Sequence, residues 1–248
     1  MGMKALVPAA GRGDRLEDRT AESNKCMLTL LGKPLIQYSL ENAVTAGVEQ
    51  IVIVVGYRAE DIINHFGTSF RDTPVRYVIQ LDRKGLVHAI ACAERAIGGA
   101  DFMLFLADEI LAHPAHPSML KVFRDEALFG VCGVVVVADR SQIRKTYAIL
   151  GEETTGRIFR LIEKPRTPIN DVMGTGNCIL RADIYGYIER TPTNVERGQK
   201  ELPDLIQCAV DEGKLVKYMN IGDGYININT PDDIGIAERL HGTKLGII

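Results

Sequence analysis

Short apolar runs alternate with amphipathic stretches along the first half of the chain. Each run is bounded by polar or turn residues, as in a buried strand, and the stretches between them space their apolar residues as a helix does. The pattern predicts strands at residues 4–7, 50–55, 75–80 and 102–106, and helices at residues 34–46, 59–66 and 86–96. Repeated strand–helix–strand units need right-handed crossovers, so we expect a mostly parallel sheet with helices on both faces.

The pattern changes after about residue 125, where long helices no longer separate the strands. Strands are predicted at residues 131–137, 157–163 and 174–180, and helices at residues 182–190, 201–212 and 232–240. No linker-like, low-complexity or repeated segment divides the chain. We therefore expect a single domain over residues 1–248, with a doubly wound, Rossmann-like α/β sheet in an α/β/α arrangement and a small antiparallel extension.

The composition excludes several classes of protein. Of the 248 residues, 46% are hydrophobic and 25% are charged, as in ordinary globular proteins. The net charge of −3 gives no general electrostatic reason to bind nucleic acid or an anionic membrane, and the apolar runs fall far short of the roughly 20 residues that a membrane-spanning helix needs. Five cysteines without CxxC spacing indicate reduced thiols, so we expect a cytoplasmic protein without a nucleic-acid or membrane partner.

A loop rich in small residues follows the first predicted strand. Small side chains let backbone N–H groups approach phosphate oxygens closely. Those of the loop are Ala9, Ala10, Gly11 and Gly13, and the nearby basic residues are Arg12, Arg15, Arg19 and Lys25. The loop lacks the Gly-Lys-Ser/Thr of a P-loop, and Leu16 stands where the dinucleotide fingerprint has its third glycine. On this loop alone, a phosphate site and an ordinary strand-end turn both remain open.

Polar residues with suitable chemistry follow other predicted strands. Gln80 ends one strand and Gly85 opens the next helix. A carboxamide offers two donors and an acceptor to the edge of a base, although these two residues also fit a surface glutamine and a helix start. Asp108 follows a buried strand, where a carboxylate is well placed for Mg²⁺, which prefers one or two carboxylates plus phosphate oxygens.

Together these motifs resemble the sugar-phosphate nucleotidyltransferases, such as glucose-1-phosphate thymidylyl- and uridylyltransferases. That family carries a Gly-x-Gly-x-Arg-Leu loop, a Pro-Lys step and a Lys-Pro that opens a helix. The matching residues, in order, are Gly11, Gly13, Arg15, Leu16, Lys25, Lys33 and Pro34. The resemblance implies the family's nucleotidyltransferase fold and its reaction, in which a nucleoside monophosphate passes from a triphosphate to a sugar 1-phosphate and pyrophosphate leaves.

The resemblance also implies a role for each motif. The implied catalytic residues are Arg15, Lys25 and Asp108. The implied nucleotide-binding residues are Ala9, Ala10, Gly11, Gly13, Gln80 and Gly85. The implied acceptor-binding residues are Glu163, Lys164, Gly174, Gly176 and Arg197. The implied cofactor is Mg²⁺ on Asp108 and Asn227. The nucleotide-binding half then spans about residues 1–125 and the acceptor-binding half about residues 126–248.

Four positions depart from the family pattern. Asn24 replaces a proline, Ala107 and Ala148 each replace a glycine, and Asn227 replaces the aspartate that serves as a second metal ligand. An amide oxygen can coordinate magnesium, but it brings no charge. These departures leave open an acceptor other than a sugar, such as phosphocholine, a phosphonate or a cyclitol phosphate.

Two further alternatives keep a related fold, namely a glycosyltransferase and a non-catalytic subunit. The expected partners are a nucleoside triphosphate and a phosphorylated small molecule, and the sequence is compatible with a homo-oligomer. No histidine is assigned a catalytic role. A phosphate monoester has its second pKa at about 6, so at neutral pH it is largely dianionic and can attack without a general base. The five histidines are interpreted as surface or helix residues.

Overall fold

The computed structural model describes residues 2–13 and 24–244, and within the last helix the side chains of residues 232–239. The strands, in chain order, are β1 (Lys4–Ala9), β2 (Thr29–Leu30), β3 (Lys33–Pro34), β4 (Gln50–Val55), β5 (Ser69–Phe70), β6 (Thr73–Ile79), β7 (Phe102–Leu104), β8 (Glu109–Ala112), β9 (Gly130–Val136), β10 (Tyr147–Gly151), β11 (Ile158–Glu163), β12 (Val172–Leu180), β13 (Thr193–Asn194), β14 (Gln199–Lys200), β15 (Val216–Asn220) and β16 (Gly224–Asn227). The α-helices are α1 (Leu35–Thr45), α2 (Ala59–Phe66), α3 (Leu86–Ile97), α4 (His116–Asp125), α5 (Leu202–Asp211) and α6 (Pro231–Lys244). Short 3₁₀ helices lie at Lys25–Met27, Arg140–Lys145 and Ala182–Tyr187.

Four parallel strands form the core of the central sheet, in the order β7-β1-β4-β6. Each connection between sequential members of this set contains one of the helices α1, α2 and α3. The carboxyl ends of these strands therefore lie at one edge of the sheet, as the alternating pattern predicts. The predicted α/β fold with a mostly parallel sheet is confirmed.

Alternate side chains of the parallel strands pack into two separate cores. On β4, Ile51 and Ile53 pack with α1 and α2, while Val52 and Val54 pack with α3. Helix α4 belongs to the first core and α5 to the second. Because both faces of the sheet are covered, its strands are continuous apolar runs. The expected α/β/α arrangement follows from this packing.

Strand β12 has an unusual set of neighbours. Along one edge it pairs antiparallel with β9, while its other edge pairs with β10 in the first part and with β7 in the last part. The register with β9 shifts between Gly174 and Cys178. At this shift, side chains bond the strand's backbone groups, since Glu109 accepts the N–H of Gly176 and the Tyr147 hydroxyl donates to the carbonyl of Thr175. A segment of the second half of the chain thus lies directly beside β7 of the first half.

The antiparallel extension consists of two-stranded sheets. They pair β2 with β3, β8 with β16 and β13 with β14. The pairing of β8 with β16 joins segments more than a hundred residues apart, and it sets Asn227 opposite Glu109. This strand pair places the residues after β7 beside the residues that precede α6.

The predicted helix at residues 182–190 is wrong in type and length. A 3₁₀ helix covers only Ala182–Tyr187. Gly186 lies inside this segment, and a glycine costs an α-helix interior about 1 kcal/mol relative to alanine.

Among the described residues, none of the helices combines the length and apolar character needed to span a bilayer.

Candidate active site

A cavity of about 820 Å³ opens at the carboxyl edge of the parallel strands. Its walls come from the loop after β1, the segment between β6 and α3, the residues after β7, and β14. The predicted site residues in its lining are Ala9, Ala10, Gly11, Gly13, Lys25, Gln80, Gly85 and Asp108. The structure therefore gathers into one cavity every predicted nucleotide-binding residue and the two predicted catalytic residues that it describes. The third, Arg15, lies outside the described residues.

Lys25 and Asp108 form the charged centre of the cavity. The Lys25 ammonium lies 2.6 Å from Oδ2 of Asp108 and 3.4 Å from Oδ1 of Asn229. The Lys25 side chain is 11% exposed and that of Asp108 25% exposed, so their interaction is only partly screened by water. The stem of Lys25 lies against Gly13, where a Cβ atom would approach the Cβ of Lys25 to 2.7 Å. Gly13 has φ +75°, a second reason for glycine at this position.

Gln80 and Gly85 lie side by side on the opposite wall. The carboxamide nitrogen of Gln80 is 3.2 Å from the carbonyl oxygen of Gly85, to which it donates, and 2.8 Å from Nδ1 of His88. These contacts fix the plane of a buried carboxamide at the cavity wall. Gly85 has φ +90°, and a Cβ there would lie 2.6 Å from Oε1 of Gln199. Glycine thus allows the backbone and Gln199 to approach each other.

Asp108 and Asn227 supply oxygen atoms to one region. The backbone N–H of Ile228 donates to the carbonyl oxygen of Asp108 at 2.9 Å, so the residue after Asn227 is bonded directly to Asp108. Oδ1 of Asn227 accepts a hydrogen bond from the Asn229 side chain at 2.8 Å. Within the described part of the chain, no three or more His, Cys, Asp or Glu residues converge as a metal centre. One carboxylate and amide oxygens nevertheless suit Mg²⁺, which takes most of its other ligands from substrate phosphates and water.

Glu109 is buried behind Asp108 and links the two halves of the site. Its carboxylate accepts hydrogen bonds from the N–H of Gly176 at 2.9 Å, the Asn177 side chain at 2.8 Å and the Tyr225 hydroxyl at 2.6 Å. Burial raises the pKa of Glu109 to about 7, and the nearby Asp108 charge acts in the same direction while these donors oppose it. Glu109, which begins β8 directly after Asp108, is therefore hydrogen-bonded to β12 at its register shift.

The predicted acceptor-binding charges form a second cluster. Arg197 donates to Glu201 at 2.6 Å and to Glu163 at 3.2 Å, and the Lys164 ammonium lies 3.4 Å from Glu163. Burial raises the pKa of Glu163 to about 7, as does the neighbouring Glu201 charge, although Lys164 and Arg197 act in the opposite direction. The cluster thus orients two cations with two carboxylates, one of which titrates near neutrality.

The small residues predicted to line the acceptor pocket are buried. A Cβ on Gly174 would overlap the ring of Tyr147, and a Cβ on Gly176 would lie 2.2 Å from the Leu106 side chain. These glycines therefore allow close packing behind the site. Ala148 is buried in the apolar core at 1% exposure, and it is not among the residues that line the cavity. The extra methyl group relative to glycine thus fills the core.

Several residues of the site escape sequence reasoning. Gln199 lines the cavity and donates to Glu201 at 3.1 Å, yet it lies more than a hundred residues after Gly85, the nearest predicted nucleotide-binding residue. Asn229 contacts both Lys25 and Asn227. The Asn-x-Asn spacing is a visible signal for that pair, whereas the nearest signal for Gln199 is Arg197, two residues before it, which predicts acceptor binding.

Two of the histidines lie in helices, as the interpretation of surface or helix residues allows, and both also contact residues of the site. His116 is buried at 1% exposure and bonds Asn177 at 2.9 Å. Burial lowers the pKa of His116 to about 4, so it is neutral in the Glu109 network. His88 is a helix residue, as expected, but it also orients Gln80.

Comparison with known proteins agrees with this geometry. A family model described as nucleotidyl transferase matches residues 4–241. The UTP–glucose-1-phosphate uridylyltransferase AglF of Haloferax volcanii is similar, at 31% identity over 238 residues and 96% of each chain. The UTP–glucose-1-phosphate uridylyltransferase of Haemophilus ducreyi is 31% identical over 95% of this chain and 91% of its own.

Solved structures show the same similarity. A UDP-glucose pyrophosphorylase complexed with UDP-glucose superposes with a TM-score of 0.86 at 27% identity, over 98% of this chain and 100% of the other. An apo-UDP-glucose pyrophosphorylase superposes with a TM-score of 0.87 at 25% identity, over 99% of this chain and 100% of the other. The fold of this chain thus extends over the full length of these solved structures.

Proposed function

Because this chain belongs to the nucleotidyl transferase family, we propose that it transfers UMP from UTP to glucose 1-phosphate, forming UDP-glucose and pyrophosphate. The observation that carries the proposal is the pairing of Lys25 with Asp108 in the cavity that also contains Gly11, Gly13 and Gln80. The choice of uridine and glucose rests on the relatives named above. Their similarity extends over nearly the whole chain.

The reaction is an in-line displacement at phosphorus. An oxygen of the sugar phosphate attacks the α-phosphorus of UTP, and the bond from that phosphorus to the bridging oxygen of the β-phosphate breaks. Pyrophosphate leaves with the electron pair of that bond. The attacking phosphate is already largely dianionic at neutral pH, so no residue needs to remove a proton from it. The work of the protein is to bring two anions together and to stabilise the charge between them.

The nucleotide side of the cavity supplies binding and charge. Backbone N–H groups around Gly11 and Gly13 hold the triphosphate, and Gln80 with Gly85 contacts the base. Lys25 stabilises the α-phosphate and the incoming phosphate, and Arg15 is assigned the leaving pyrophosphate. Asp108 and Asn227 would hold Mg²⁺, which when bound offsets the negative charge of the phosphates.

The acceptor side anchors the sugar phosphate. Lys164 and Arg197 bind its phosphate group, and Glu163 accepts hydrogen bonds from its hydroxyls. The bond of Arg197 to Glu201 holds the guanidinium in place before the acceptor arrives.

Five unpaired thiols in the described chain support a cytoplasmic location.

Pyrophosphate release tests the proposal directly. The enzyme is assayed with ATP, GTP, CTP, UTP and dTTP against glucose 1-phosphate, phosphocholine, a phosphonate and a cyclitol phosphate. The expected result is the highest kcat/KM with UTP and glucose 1-phosphate, with UDP-glucose identified as product. A higher value with another acceptor would replace the sugar, and glucosyl transfer from UDP-glucose without pyrophosphate release would favour a glycosyltransferase.

A further inference from the structure

Asn24, the residue before Lys25, is completely buried, with 0% of its surface exposed. Its carboxamide nitrogen donates to the carbonyl oxygens of Ala9 at 3.2 Å and of Tyr57 at 2.7 Å. Its carboxamide oxygen accepts the backbone N–H of Cys26 at 2.8 Å. Losing one of these bonds would leave a buried polar group without a partner, so the carboxamide strongly fixes its surroundings.

The bonds of Asn24 join three elements at the carboxyl edge of the sheet. Ala9 ends β1 and Tyr57 follows β4, the neighbouring parallel strand. The backbone N–H of Asn24 also donates to Asp61 in the first turn of α2 at 3.0 Å, and Arg58 holds that carboxylate at 3.0 Å. The segment that carries Lys25 is thereby tied to the same strand end from which the phosphate-binding loop begins.

This tie determines where the Lys25 side chain begins. Lys25 opens the 3₁₀ helix for which Asn24 is the N-terminal cap. Its side chain then crosses Gly13 and reaches Asp108 at 2.6 Å. We propose that Asn24 is a positioning residue, which through its bonds to Ala9 and Tyr57 holds the Lys25 ammonium between the phosphate-binding loop and Asp108. The inference rests on the proposed function of Lys25.

The family pattern shows what asparagine adds at this position. The pattern has proline before the lysine, and the φ angle of Asn24, −66°, is the angle that a proline ring imposes. The backbone here would therefore accept proline. Proline, however, has no N–H for Asp61 and no amide to donate to Ala9 and Tyr57. The same backbone angle is thus secured by hydrogen bonds in this chain.

Two substitutions separate hydrogen bonding from backbone geometry. Asn24→Pro keeps the φ angle and removes every bond that Asn24 donates, whereas Asn24→Ser keeps a capping oxygen for Cys26 and removes the amide donors. The matched control is Gln207→Ala, which removes another buried carboxamide that bonds backbone groups, at Leu161 and Phe159 of β11. In the central sheet, β10, β12 and β7 separate β11 from β1.

The readouts are kcat/KM with UTP and glucose 1-phosphate, the Kd of UTP without acceptor, and the melting temperature. We expect kcat/KM to fall about 10-fold or more in both Asn24 variants, on the scale of a lost buried hydrogen bond. Gln207→Ala is expected to lower the melting temperature and to keep kcat/KM within about 2-fold of the wild type. Asn24 variants that lose stability but keep wild-type kcat/KM would overturn the inference, as would a failure of both to fold.

A double-mutant cycle tests whether Asn24 acts through Lys25. If it does, Asn24→Ser weakens UTP binding in the wild type but has little further effect in a Lys25→Ala background. Equal effects in the two backgrounds would show that Asn24 acts elsewhere. The wild-type assay decides the proposed reaction separately, because UTP binding can be measured even if the true acceptor is not glucose 1-phosphate.

Discussion

In the proposed mechanism, Lys25 contributes positive charge where the two substrates meet, and its ammonium lies 2.6 Å from Asp108. Loss of a group that stabilises developing charge typically lowers turnover by about 10²-fold or more. We expect this for Lys25→Ala, measured as pyrophosphate release at saturating UTP, and the sequence predicts the same for Arg15→Ala. Lys121→Ala, which removes an exposed lysine of α4 paired with Asp125, is the control. Near-normal turnover in folded Lys25→Ala would contradict the mechanism.

Asn227 brings an oxygen without charge to the proposed metal site. Asn227→Asp would add a second carboxylate beside Asp108, so we expect it to bind Mg²⁺ more tightly, as measured by calorimetric titration of the nucleotide-free protein. Asn220→Asp makes the same change of charge at an exposed residue of β15. If the two variants bind Mg²⁺ equally, Asn227 is not a ligand.

The proposed role of Glu163 predicts a pH dependence of the reaction. Burial raises the pKa of Glu163 to about 7, so the carboxylate proposed to accept sugar hydroxyls is lost as pH falls through that value. We expect kcat/KM for glucose 1-phosphate to rise between pH 6 and 8 and then level off. In Glu163→Gln, the remaining pH dependence of kcat/KM should come only from ionisation of the acceptor phosphate, whose second pKa is about 6. An unchanged profile in the variant would exclude this assignment.

At the scale of elements, the β8–β16 strand pair meets β12 at Gly176. The packing there leaves no room for a side chain at this position. A Cβ at this position would lie 2.2 Å from Leu106. We expect Gly176→Ala to destabilise the protein by about 1–3 kcal/mol through overpacking, measured by urea unfolding. At Gly186 a Cβ meets nothing within 4 Å, so Gly186→Ala should cost less than half as much. Equal losses would mean that close packing at Gly176 is unimportant.

The elements differ in how well their residues predict them. The pattern predicts β4 at residues 50–55 and α2 at residues 59–66 with the bounds that the structure shows, because a continuous apolar run and an amphipathic segment adjoin there with sharp polar ends. The pairing of β8 with β16 could not be predicted in this way, since the two strands are short and lie far apart in sequence. Local pattern carries information about an element's own burial and very little about distant pairing.

The candidate site shows the same limit. The neighbourhood of Gly11, Gln80 and Asp108 follows from the sheet, because carboxyl ends of parallel strands share one edge. The Glu109 network depends on side-chain directions at the β12 register shift. The approach of Gln199 to Gly85 depends on how the chain brings β14 to the start of α3. No local motif specifies those directions.

At the scale of the whole molecule, substrate binding should increase stability. A ligand that binds only the folded state contributes about 2.7 kcal/mol at a concentration 100 times its Kd. We expect UTP with Mg²⁺ to raise the melting temperature of the wild type more than ATP with Mg²⁺ does. The shift should shrink in Lys25→Ala. Equal shifts with the two nucleotides would argue against recognition of uracil by Gln80 and Gly85.

The divided pairing of β12 gives this enzyme an internal spectroscopic probe. The Gly176 amide proton is held by the carboxylate of Glu109 rather than by a neighbouring strand. We therefore expect its exchange with deuterated solvent to depend on the β8–β16 pair, which begins directly after Asp108. Amides near Cys178 should instead report the opening of the sheet. The difference between the two exchange rates would follow nucleotide and metal binding in the unmodified protein, without a label in the site.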